Sequence, residues 1–169
     1  MQQARSGLES ARAAGAEQYA PDDYREATAA LRRSEEAVAQ HDYRSALSFA
    51  LDSRERAADA VKAAADQKAR VRAEAEQALV TIQGLQSQLR DRIKVAEAAR
   101  LPRPQREAIS DARRAIVIAS VAVQEAGEAL SRQDYLAARQ ATRDAPETLK
   151  REIASLDATI ASVAPQRRH

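Results

Sequence analysis

The sequence predicts an all-α protein, and three observations carry that prediction. Alanine supplies about a quarter of the 169 residues, and Leu, Glu, Gln and Arg fill most other positions, so helix propensity is high along nearly the whole chain. Glycine and proline are sparse, four and five residues, which leaves long uninterrupted runs. The β-branched residues come singly or in one cluster, so the alternation that marks strands is missing. The predicted architecture is elongated. Two small three-helix antiparallel bundles, residues 1–66 and 67–163, share one long central helix from about 43 to 100, and a disordered tail follows at 164–169.

The first helix is read from Gln3 to Ala14, where Ala4, Leu8, Ala11 and Ala14 recur at three- and four-residue steps, and Gly15 stops it. Pro21 suits the first position of the second helix, where its missing N–H costs nothing, and Asp22 and Asp23 face the positive end of the dipole. That helix carries Tyr24, Ala27, Leu31, Ser34 and Val38 on one face and runs to about Gln40. Asp42 is a good N-cap for a third helix opening at Tyr43, with Ala46 small enough for two helices to approach closely. A connection this short makes the two helices antiparallel neighbours.

The third helix meets no stop before LPRP at 101–104, which makes it a rod of roughly 85 Å. Its seam is expected in heptad steps, in the manner of a coiled coil. The steps are Tyr43, Leu47, Ala50, Arg54, Ala57, Val61 and Ala64, then Lys68, Val71, Ala75, Ala78, Ile82, Leu85, Leu89, Ile93 and Ala96. Residues 62–77 hold a single large apolar side chain, Val71, and read as a solvent-exposed bridge between the bundles. The fourth helix repeats Ile109, Ala112, Ile116, Ala119, Val123, Ala126 and Leu130, with Val117, Ile118 and Val121 off that stripe. A wide apolar surface suits a helix gripped by two neighbours. Burial of IVIASVAV, 116–123, is therefore expected, a dimer face or a membrane patch being the alternatives. The fifth helix runs from Tyr135 through Leu149 and Leu156 to Ile160, with a kink at Pro146.

Two stretches repeat one signal. HDYRSAL, 41–47, and QDYLAAR, 133–139, align at a constant offset that pairs Asp42 with Asp134, Tyr43 with Tyr135 and Ala46 with Ala138. Each reads as a hairpin joint closing one bundle, with the tyrosines as packing residues.

Chemistry is thinly signalled. The 27 basic and 25 acidic residues interleave to a net charge of +2, without the basic block of a nucleic-acid binder, and no nucleic-acid partner is expected. Cysteine is absent, which removes thiolate chemistry, and the histidines are His41 and His169, with no Glu-x-x-His pair. No Gly-rich phosphate loop occurs. Accordingly no catalytic residue, cofactor or metal is expected, and the protein is not expected to be an enzyme. The expected partner surface is basic: Lys62, Lys68, Arg70 and Arg72 on the bridge, and Arg100, Arg103 and Arg106 at the proline turn.

GAEQYAP, 15–21, followed by YREATAALRRSEEAVAQHDYRSALSFALDSRERAADA, 24–60, resembles a bacterial family of unknown function, domain-of-unknown-function family 4398. The resemblance covers about residues 4–80. It implies an exported helical protein of the periplasm or cell envelope with its signal peptide removed, membrane contact coming through a lipid anchor missing from this chain; a cytoplasmic location is the alternative. The expected function is a non-enzymatic helical spacer or adaptor that binds an unknown protein partner or a second copy of itself. Reversible binding to a lipid surface through amphipathic helices is the alternative.

Overall fold

The computed structural model describes residues 1–99, 102 and 106–163. The expected tail at 164–169 lies outside them. Every element is helical, and no strand occurs among the described residues. The order is α1 (Gln2–Ala13), α2 (Ala16–Tyr19), α3 (Pro21–Ala39), α4 (Tyr43–Ala98), α5 (Arg106–Ser131), α6 (Tyr135–Thr142) and α7 (Ala145–Val163). Two compact units are distinguished, Met1–Arg70 and Val71–His169, and α4 contributes to both.

In the first unit Gly15 ends α1 at φ 86°, a left-handed conformation that favours glycine, and the chain then makes one extra turn, α2, before Pro21 opens α3. Sequence periodicity gave no sign of α2, because a single turn carries no repeat. The core is almost wholly alanine. Ala11, Ala16, Ala20, Ala60 and Ala64 form one cluster, and Leu8, Ala27 and Ala57 another. Side chains this small bring backbones close enough for hydroxyls to reach across. Buried Ser34 donates to the Ala46 carbonyl at 2.7 Å and buried Ser53 to that of Ala27 at 2.9 Å, so α3 and α4 run antiparallel.

The second unit has larger side chains at its centre. Ile82, Leu89 and Ile93 from α4 meet Ala112, Ala115 and Ala119 from α5 and Leu149 and Leu156 from α7. Contacts Gln86–Ile116 and Glu97–Arg113 set α5 antiparallel to α4, while Glu74–Arg139 and Arg92–Asp157 set α6 and α7 parallel to it. The fifth predicted helix is broken rather than kinked, at Arg143 and Asp144. Pro146 has no N–H for the Thr142 carbonyl and its ring crowds that oxygen, so the chain restarts with proline in the first turn of α7.

The heptad seam needs correcting. In the first unit Ala50, Ala57 and Ala64 of that seam are buried, joined by Ala46, Ser53 and Ala60, whereas Tyr43, Leu47 and Arg54 face solvent. Ala46 and Ala64 stand 18 residues apart, as do Val71 and Leu89, and Ala75 and Ile93. Eighteen residues are five turns of an ordinary α-helix. A heptad stripe drifts by about 20° per repeat on a helix of that pitch. A seam anchored correctly at Ala75, Ile82 and Leu89 therefore slides off the buried face by the time it is extrapolated back to Leu47. The bridge is corrected by the same burial: Ala64, Val71 and Ala75 are enclosed, so 62–77 has a packed face. Alanines lend it an inner side that a search for large apolar residues overlooks.

Candidate partner-binding surface

The two joints are built from the same bonds. His41 N–H donates to Val38 and Asp42 N–H to Ala37; Gln133 N–H donates to Leu130 and Asp134 N–H to Ala129, all at 2.9–3.0 Å. This is the Schellman closure, with His41 at φ 60° and Gln133 at φ 61° in the left-handed position. The residue that completes it is also the N-cap of the next helix. Asp42 accepts from Ser45 N–H at 3.0 Å and Asp134 from Ala137 N–H at 3.1 Å. Ala46 and Ala138 are buried one turn on. The tyrosines differ: Tyr43 is 65% exposed, its hydroxyl 3.2 Å from His41 Nδ1, while Tyr135 is half-buried beneath the Arg72 guanidinium.

Two predictions arise at these joints. Left-handed backbone strains a side chain with a Cβ, so Gln133→Gly is expected to stabilise the second unit by about 0.5–1 kcal/mol. His41→Gly should gain less, since it also loses the Tyr43 contact; urea midpoints of the two variants check both. Bonds from the Ser45 hydroxyl and N–H hold the Asp42 carboxyl below its ordinary value. Its contribution is therefore fully present above the unfolded carboxylate range, about pH 4, and is lost as pH falls through the lower folded value. An acid titration of stability should flatten in Asp42→Asn; an unchanged acid limb would contradict the cap.

The expected basic surface is dispersed. Lys62 lies 3.8 Å from Asp59. Arg72 bonds Glu76 at 2.8 Å, which raises its pKa, and covers Tyr135. Lys68 is half-buried, Arg70 and Arg106 are exposed, and Arg100 and Arg103 lie outside the described residues.

A different surface emerges on α5. The inner face of α5 is lined by Ala112, Ala115, Ala119, Ala126 and Ala129. Buried Gln86 on α4 fixes its rotation, donating from Nε2 to the Ile116 carbonyl at 3.2 Å and to Ser120 Oγ at 3.0 Å. The larger residues are thereby turned outward: Val117, Ile118 and Val121 are 64%, 58% and 51% exposed. This corrects the expected burial of the whole IVIASVAV run. At 100° per residue its apolar side chains spread over more of the circumference than two close neighbours cover. That spread was the legible signal; which part of it stayed uncovered was not. Ile118 also rims a groove of roughly 120 Å³ in which Ala115, Ala119 and Ala122 face Ala141, Ala145 and Thr148 across the α6–α7 break.

A second cleft, of roughly 360 Å³, is of mixed character, with Arg139 held 3.6 Å from Glu74 beside Gln140 and Arg143, and Ala78 and Pro146 completing its wall. Among the described residues no cluster of three or more His, Asp or Glu is placed to hold a metal ion, and no helix is long and apolar enough to cross a membrane. The chain matches no protein-family model, no curated protein and no solved structure.

Proposed function

We propose that this chain is a non-catalytic helical adaptor of the bacterial cell envelope that docks a protein partner on the outer face of α5. The observation that carries the docking site is the contiguous exposure of Val117, Ile118 and Val121 beside an alanine-lined groove. Single apolar residues are common on protein surfaces, but an adjoining set on one helix face marks an interaction site. Covering such area gains about 25 cal/mol per Å² removed from water. The envelope assignment rests on the resemblance of residues 15–60.

The test is photo-crosslinking in source cells from a reactive side chain at Val121, with and without Ile118→Asp. A crosslinked protein lost in the variant supports the reading. A crosslink pattern indifferent to Ile118→Asp overturns it. Capture of lipid alone, with liposome flotation abolished by the same change, would replace the protein partner with a membrane surface.

A further inference from the structure

We infer that the partner seated on this face is a second copy of the chain, its α5 packed antiparallel about Ile118 and Val121. The inference rests on the docking reading above and adds the identity of the partner. The outer face of α5 carries Glu107, Asp111 and Arg114 before the apolar strip and Glu125 and Glu128 after it, and Arg132 follows one residue past the helix end. These positions, with Ile118 and Val121 between, recur at alternating steps of four and three, the spacing of a helix seam.

An antiparallel copy centred between Ile118 and Val121 sets each of these side chains against the other. It then places Arg114 opposite Glu125 and Glu107 opposite Arg132, twice each by symmetry. A two-fold interface must be complementary to itself in this way. The remaining row sets Asp111 against Glu128, but each already has a cation on its own chain: Arg114 at 3.1 Å from Asp111 and Arg132 at 3.9 Å from Glu128. A parallel copy would face every charge with its own kind, so electrostatics selects the antiparallel arrangement. Glu125 carries no ion pair among the described residues, and the second copy supplies one. The apolar strip is three side chains, small beside the ~800 Å² per partner of a standard interface, so half-association is expected only on the order of 0.1 mM.

Sedimentation velocity of the full chain over a concentration series tests this. The expected result is a shift from 18.4 kDa to twice that mass, abolished by Ile118→Glu. Arg114→Glu alone and Glu125→Arg alone should each weaken association roughly tenfold or more. An equimolar mixture of those two variants should dimerise again, because both rows then oppose an acid to a base. A wild-type chain that stays at 18.4 kDa throughout overturns the inference, as does a mixture that fails to recover while both variants remain helical by circular dichroism. A monomeric wild type whose crosslinks at Val121 still depend on Ile118 would leave the adaptor reading standing without the dimer. If neither mass nor crosslinks respond, both fall.

Discussion

Leu149→Ala is expected to lower the unfolding free energy of the second unit by about 2–5 kcal/mol. Leu149 is completely buried on α7, where it packs into the cluster formed with Ile82, Leu89, Ala112, Ala115, Ala119 and Leu156. Its truncation removes the transfer free energy of the lost carbons and opens a cavity. How much of that cavity closes depends on the neighbours. The fully enclosed α5 members are alanines, whose only side-chain carbon is fixed to the backbone, while Ile109, Ile116 and Val123 pack at the edge of the cluster and can shift rotamer. Urea unfolding followed by circular dichroism measures it; a loss below about 1 kcal/mol would mean that Leu149 is not enclosed as described.

Ala57→Leu is expected to destabilise the first unit by about 1–3 kcal/mol, and the mechanism is the reverse one. Ala57 is completely buried against Leu8 and Ala27, and its Cβ lies 3.4 Å from where a Cβ on Gly7 would stand. Three added carbons have no space between helices held at alanine distance, and must push α1 away or twist into strained rotamers. Ala58→Leu is the control. Ala58 is exposed, Leu is nearly as good a helix former as Ala, and the change should stay within about 0.5 kcal/mol. Hydrogen exchange at the amides of α1 and α3 should rise in Ala57→Leu and not in Ala58→Leu. Equal effects would show that the buried face of α4 has been misassigned.

That pair of adjacent alanines shows where sequence reading stops. The heptad template and the true face of α4 agree from Ala75 to Ala96, where large apolar side chains anchor the register; between Tyr43 and Val61 only Ala50 and Ala57 of the template are buried, while Tyr43, Leu47 and Arg54 miss a face made of alanine and serine. An alanine helix offers little contrast between its faces. A period of 3.5 fits the apolar letters there as well as 3.6 does, and Tyr43 and Leu47 drew the seam outward. The same lack of contrast hid the packed side of the 62–77 segment.

The sequence by itself determined the helical class, the continuity of α4 as far as the prolines, and the two Asp-Tyr joints. All three are local: propensity, the absence of breakers, and capping bonds made within six residues. It also fixed the width of the apolar surface on α5, since that is a matter of composition and 100° steps. Only the tertiary structure decided the rest. Gln86 set the rotation of α5, alanines on its inner face turned Val117, Ile118 and Val121 to solvent, and Pro146 broke a helix that periodicity alone would have carried through. These outcomes depend on which neighbour occupies the space beside a residue, and spacing along one chain does not carry that information.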